Sequence, residues 1–223
     1  MAPSARTCPT SSIGSLTSAR AAIDALPELV AADVYRCGYA AESSFGAISY
    51  YLREPRILID SPRFARPLVN RLDGVRRMLL THQDDIADHA KFHDHFGCER
   101  VLHRDDARGR TFELMPGGLD PIDLGDEIVM IPTPGHTKGH AVFLYREKFL
   151  FTGDHLAWSE SRGHLYAFRS ACWYSWTEQI RSMVRLLDYS FEWVLPGHGR
   201  PVHLPAEEMR RSLELCVQWM RAK

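Results

Sequence analysis

Within the eight residues His82-Gln83-Asp84-Asp85-Ile86-Ala87-Asp88-His89 the chain carries two histidines and three carboxylates. Imidazole nitrogen and carboxylate oxygen are donors that zinc, iron and manganese share, so this cluster can hold a divalent ion. The apolar run Met78-Leu79-Leu80 precedes it, and a helix is predicted over 87–96. A strand end followed by a loop suits a metal site, because the rigid strand aims ligands and the loop curls round the ion. The acids have a plainer use as well, since Asp84 or Asp85 can cap the helix. Three further strings decide between these readings: Pro134-Gly135-His136-Thr137-Lys138-Gly139-His140, Gly153-Asp154-His155 and Pro196-Gly197-His198-Gly199. A glycine stands directly before His136, Asp154 and His198, and it gives the backbone the freedom that crowded loops need. Together the four loops point to a metal site.

These loops need strands that end at them. The apolar pattern predicts strands over 34–39, 45–52 and 56–60, a helix over 64–72 after Pro62, and a strand over 76–81 that ends at His82. A short strand over 98–102 follows the 87–96 helix. Residues 103–125 are turn-rich, punctuated by Pro116-Gly117-Gly118 and Asp123-Leu124-Gly125. Strands over 127–133, 141–145 and 148–152 come next, the last two joined by the turn Arg146-Glu147. After an irregular aromatic stretch, the pattern gives an amphipathic helix over 176–187 and a strand over 193–195. Pro205 then opens a closing helix that runs to about residue 221. Periodicity by itself yields a mixed α/β domain.

At 223 residues, with 45% hydrophobic and 25% charged residues, the chain reads as one globular domain over 31–223. An N-terminal tail with a short helix over 16–26 is expected to occupy 1–30. Residues 1–23 lack acids, carry Arg6 and Arg20 and are rich in Ser and Thr. That composition faintly resembles an organelle transit peptide, but a frayed tail is the simpler reading. A formal net charge of -1 gives no argument for nucleic acid or anionic membranes, and no apolar run reaches the ~20 residues that span a bilayer. The five cysteines are scattered, without a C-x-x-C pair. They argue against a disulfide framework and for a reducing, cytoplasmic setting, with an organelle as the alternative. The expected partner is a small-molecule substrate, with a homodimer as a further possibility.

The series Ile59-Asp60, Thr81-His82 with Asp88-His89, Gly135-His136-Thr137, Gly153-Asp154 and Pro196-Gly197-His198-Gly199 resembles the metallo-β-lactamase superfamily in order and rough spacing. The resemblance runs from about residue 34 to the C-terminus. It is strongest to the glyoxalase-II-like branch, because Asp154 stands where that branch has a metal-bridging aspartate. It implies an α/β (α+β) four-layer αββα sandwich with two divalent metals at one edge of the paired sheets, zinc first and iron or manganese as alternatives. Carried over by position, His82 and His136 would bind the first metal. Asp88, His89 and His198 would serve the second, with Asp154 between them and Asp88 as the catalytic carboxylate. Asp60 would support the ligands from behind.

One motif departs from the family. Its usual His-x-His-x-Asp-His is replaced by a string two residues longer that lacks the middle histidine. Asp84 keeps the offset from His82 and is favoured as the replacement ligand. Asp85, four residues before His89, would share its face if the helix starts early. Either swap hardens the first site towards iron or manganese.

His140 and His155 follow ligand loops and are expected to hydrogen-bond the ligand side chains, with substrate contact as the alternative, whereas His93 and His95 read as solvated helix residues. Lys138 and Arg169 could meet an anionic group of the substrate. The aromatic segment 158–176 reads equally as a lid or as a hydrophobic plug. The function implied is a metal-dependent hydrolase of small thioesters, esters or lactones. The alternatives are an iron-dependent oxidoreductase (sulfur dioxygenase-like or diiron) and a degenerate, non-catalytic metal-binding protein.

Overall fold

The computed structural model describes residues 27–37 and 48–223. In chain order the strands and helices are β1 (Glu28–Ala31), β2 (Val34–Arg36), β3 (Tyr50–Leu52), β4 (Ile57–Ile59), α1 (Arg66–Val69), β5 (Arg77–Leu79), α2 (His89–Phe96) and β6 (Glu99–Val101). They continue with β7 (Ile122–Asp123), β8 (Ile128–Pro132), β9 (Ala141–Tyr145), β10 (Phe149–Gly153), β11 (Ala157–Ser159) and β12 (His164–Tyr166). Then come α3 (Trp176–Leu186), β13 (Trp193–Pro196), β14 (Val202–His203) and α4 (Ala206–Arg221). One six-stranded sheet runs β1-β2-β3-β4-β5-β6, and the other runs β14-β13-β10-β9-β8-β7. A small hairpin, β11 with β12, stands apart.

Alternation along the strands builds the layers. Ile57 and Ile59 of β4 face the inter-sheet core with Phe143, Phe149 and Phe151, while Leu58 faces the other way onto Leu68 and Phe92 of the helices. On β10, Leu150 likewise leaves the inter-sheet core to pack with Met183 and Leu213 of α3 and α4. Both faces of each central strand are therefore covered, which is why these strands read as unbroken apolar runs. Each such side chain contributes ~1.5–3 kcal/mol by leaving water.

The parallel pairs set the edge that matters. β4 pairs parallel with β5, and β10 parallel with β13. β8 and β10 each run antiparallel to β9, so β8, β10 and β13 finish at one end of their sheet. At that end the two sheets are stitched together: the Ala141 amide donates to the Thr81 carbonyl at 2.9 Å, and the Ile48 amide to the Gly197 carbonyl at 2.6 Å.

Several expected boundaries shift. The helix expected over 64–72 contracts to α1, which carries Pro67 in its first turn, and before it the Phe64 amide donates to Asp88 at 2.9 Å. The helix expected from 87 begins at His89 and stops at Gly97, whose φ of +67 ends it in the left-handed region. β1 pairs with β2 across the boundary expected at residue 30. β1, β7, β11, β12 and β14 have two to four residues each, too few for a period to be read. The helix expected over 16–26, and the parts of two expected strands that fall in 38–47, lie outside the described residues.

Candidate metal centre

Each loop that carries a candidate ligand leaves a strand at the shared edge. His82 follows β5, His136 follows β8, Asp154 follows β10 and His198 follows β13. The structure brings together two groups of potential donors, His82 with His136 and Asp154, and Asp85 with Asp154 and His198. Within each group the donor atoms lie within 4.8 Å of one another. Asp154 Oδ2 is 3.9 Å from Nε2 of His82 and 3.9 Å from Nε2 of His136, while its Oδ1 meets His198 Nδ1 at 2.5 Å. Metal–ligand bonds of ~2.0–2.2 Å place two donors on one ion ~3–4 Å apart, so the two 3.9 Å separations suit a shared ion, whereas the 2.5 Å contact to His198 is a hydrogen bond.

The far side of each imidazole shows which nitrogen is free. Thr81 Oγ1 donates to Asp60, 2.9 Å from its Oδ1, and lies 2.9 Å from His82 Nδ1. With its one proton committed to Asp60, Thr81 accepts from His82 Nδ1–H, which leaves the Nε2 lone pair facing the cluster. His136 Nδ1 donates to the Ala171 carbonyl at 2.5 Å, with the same result. Nε2 of both histidines and Oδ2 of Asp85 are buried without a hydrogen-bond partner. Buried orphans of this kind are costly unless something binds them, and such lone-pair donors, two in the first group and one in the second, fit bound cations. Asp60 thus reaches the centre through Thr81.

Electrostatics agree. Burial holds the Asp85 carboxyl well above its ordinary range, and Asp60 and Asp154 push it further. Burial takes Asp60 up to about 7 against the opposing hydrogen bonds from Thr81. Burial would raise Asp154 too, but the His198 hydrogen bond and the neighbouring imidazoles leave it below the usual carboxylate value. A bound cation would favour the ionised form of all three.

The other expected residues are placed as follows. Asp84 has its Oδ2 3.8 Å from His136 Nε2 but is half exposed at the mouth, whereas Asp85 is buried inside the second group. Asp88 and His89 are not brought to the cluster. Asp88 accepts from the Phe64 amide and, at 2.8 Å, from Lys91 Nζ. His89 lies against Phe112 with Arg100 Nη1 3.2 Å from its Nδ1. The helix starts two residues later than its pattern suggests, and that turn aims both side chains away.

His140 stacks on His82 with ring centroids 5.2 Å apart, and its Nδ1 is 2.9 Å from Thr133 Oγ1. His155 stacks on His140 at 5.3 Å. Lys138 is 3.4 Å from Asp105, and Arg169 is bound to the Lys223 carbonyl and lies over Trp176, so neither cation faces the cluster. His93 is 2.8 Å from the Cys98 carbonyl, and His95 packs on Phe64 and Phe96. The aromatic segment divides. Trp158 and Trp176 pack into the core beneath α4, while Trp173 and Tyr174 stay exposed, with Trp173 6.4 Å from the His136 ring. Sequence reasoning missed Asp106 and the Ala171 carbonyl, because both act across 23 or more residues and neither belongs to a local pattern.

Two outcomes follow from this packing. Gly153 has φ +48, and a Cβ there would sit 2.4 Å from Thr81 Oγ1. Gly153→Ala is therefore expected to cost about 2–4 kcal/mol in denaturant unfolding, from backbone strain plus overpacking; an unchanged midpoint would contradict it.

The second concerns pH. Burial lowers His82 and His155 to about 3 and holds His140 well below its ordinary value. A depressed base gives stability that is complete above its unfolded pKa of ~6.5 and is lost as pH falls towards the folded value. The raised carboxyls of Asp60 and Asp85 act in the opposite sense, costing stability as pH climbs above ~3.9. The two trends oppose each other between about pH 6.5 and 4, and below ~4 the histidine loss continues and is joined by that of the depressed carboxyls Asp154 and Glu113. Metal-free protein should lose stability most steeply below about pH 4, as read from urea midpoints across that range. A midpoint higher at about pH 3.5 than at neutrality would contradict this.

No protein-family model matches the chain, and no curated protein matches it in sequence. Solved structures do. The DIM-1 metallo-beta-lactamase superposes with a TM-score of 0.61 at 15% identity, covering 84% of this chain and 96% of its own. A metallo-beta-lactamase family protein from Thermus thermophilus gives 0.62 at 18%, covering 85% and 80%. The metal-soaked Flv1 flavodiiron core from Synechocystis gives 0.60 at 18%, covering 85% of this chain and 60% of its own. The chain has the metallo-β-lactamase fold.

Proposed function

We propose that this protein is a metal-dependent hydrolase acting on a small thioester, ester, lactone or related acyl substrate. The observation that carries the reading is the pair of donor groups sharing Asp154, with the buried Nε2 atoms of His82 and His136 and Oδ2 of Asp85 left without partners. His82, His136 and Asp154, completed by Asp84 from the mouth, would hold one ion; Asp85, Asp154 and His198 would hold the other. Zinc is the first candidate, with iron or manganese next. Divalent ions bound there would lower the pKa of a coordinated water towards ~7 and supply Lewis acidity for a carbonyl oxygen.

The chain's own contribution is orientation and charge. Thr81 and the Ala171 carbonyl fix the two imidazole rings and their tautomers, and the buried carboxylates offset the cationic charge. Trp173 and Tyr174, exposed beside the His136 loop, offer an aromatic wall to the non-reacting part of a substrate. The test is to load the protein with zinc, iron and manganese in turn and assay a panel of acyl and phosphoryl substrates. Turnover that needs the metal and disappears with chelator supports the reading, and a metal-loaded protein inert to the whole panel defeats it.

The second reading is an iron-dependent oxidoreductase. It is favoured by the donor set, in which Asp84, Asp85 and Asp154 supply as many side chains as the three histidines, and hard oxygen donors suit iron. The flavodiiron core among the similar folds makes it a live rival. Oxygen consumption by iron-loaded protein given a persulfide would select it. Absence of stoichiometric metal, with stability indifferent to chelator, would instead select a non-catalytic protein.

A further inference from the structure

Asp106 closes a short 3-10 turn (Arg104–Asp106) that follows β6 of the first sheet. The turn is anchored at its start. The Arg104 amide donates to the Pro116 carbonyl at 2.7 Å, and His103 accepts from the Asp105 amide. The Asp106 carboxylate is buried, 1% exposed, and among the described residues no cation pairs with it. Instead it accepts three hydrogen bonds: from the Gln83 amide at 3.1 Å, the Thr137 hydroxyl at 2.5 Å and the Gly139 amide at 2.7 Å.

The identity of these donors is the point. Gln83 directly follows His82, and Thr137 directly follows His136. The two loops leave different sheets, and His82 on one and His136 on the other each have an unpartnered Nε2 at the cluster. Gly139 allows the approach, since a Cβ there would lie 2.6 Å from the Asp106 amide and 2.8 Å from its carboxyl. A carboxylate accepts charge-assisted hydrogen bonds about twice as strong as neutral ones, so one side chain can hold both loops. Groups behind metal ligands typically change metal affinity ~10–100-fold when removed.

We propose that Asp106 is a positioning residue that clamps the His82 loop to the His136 loop and so presets both imidazoles for a metal ion. The proposal rests on the metal-site reading above. Asp106 touches neither ion nor substrate; it acts through Gln83, Thr137 and Gly139. Asparagine cannot replace it, because its amide nitrogen would face a donor where the carboxylate presents an acceptor.

The test compares wild type, Asp106→Asn, the milder Thr137→Val and Leu213→Ala, a destabilising control in the core beneath α4. Hydrogen exchange by mass spectrometry on metal-free protein, and cobalt(II) titration followed by visible absorption, are the readouts. Asp106→Asn should raise exchange in 82–85 and 136–140 together, weaken cobalt binding at least ~10-fold and alter the cobalt spectrum. Thr137→Val should weaken binding by a smaller factor and serves alone if Asp106→Asn does not fold. Leu213→Ala should lower the Tm without moving either readout. Wild-type affinity and spectrum in folded Asp106→Asn, or in Thr137→Val where that stands alone, overturn the proposal, as does a rise in exchange confined to one loop. A wild type that binds no cobalt defeats the metal-site reading itself, which separates the two failures.

Discussion

Asp154→Ala is expected to empty both of the proposed metal positions at once. Asp154 is the one residue common to the two donor groups, with Oδ2 equidistant from His82 and His136 and Oδ1 on His198. Its loss should cut affinity at each position by more than the ~10–100-fold typical of residues that merely support a ligand. The apo fold should tolerate the change. Removing Asp154 relieves its repulsion of Asp85, but it also takes away the His198 hydrogen bond and the imidazole attractions that hold the Asp154 carboxyl below its usual value. Metal content by elemental analysis should therefore collapse while the metal-free Tm falls only modestly. Stoichiometric metal in Asp154→Ala would refute the shared-ligand geometry.

The second large effect separates neighbours in one short string. Asp85→Ala should lose the ion held by Asp85, Asp154 and His198 and leave the other position able to fill. Its metal-free form should be no less stable, because the side chain removed is a buried carboxylate with an unpartnered oxygen. Asp88→Ala should do the reverse. Metal content should hold while stability falls by about 1–3 kcal/mol, since the Phe64 amide loses its acceptor. Elemental analysis and denaturant midpoints on both variants check the contrast. If Asp88→Ala strips metal and Asp85→Ala does not, the assignment made from the structure is reversed.

Much of the fold could be read from residue order. β9 is predicted to the residue, and α3 and α4 to within one or two, because their apolar periods run long enough to distinguish strand from helix. His82, His136, Asp154 and His198 stand out because glycine and histidine at a strand end form a local pattern. The short strands β7 and β14 could not be seen, since a two-residue ladder draws its stability from a neighbour remote in sequence.

What the amino-acid order determined by itself was the set of strand-end donors and a mixed α/β domain, since both follow from short-range periodicity and turn chemistry, while the layered sandwich was implied by the resemblance of the motif series. Only the tertiary structure decided which carboxylate of His82-to-His89 joins them. That choice depends on where the chain turns after β5, and the turn is set by contacts far away in sequence. Phe64 takes Asp88, and Arg100 and Phe112 take His89. Asp106 holds Gln83 from the next turn. Asp85 is left pointing inward beside Asp154 and His198, because every neighbour that could have turned towards the cluster is held by another part of the fold or stands exposed beside it.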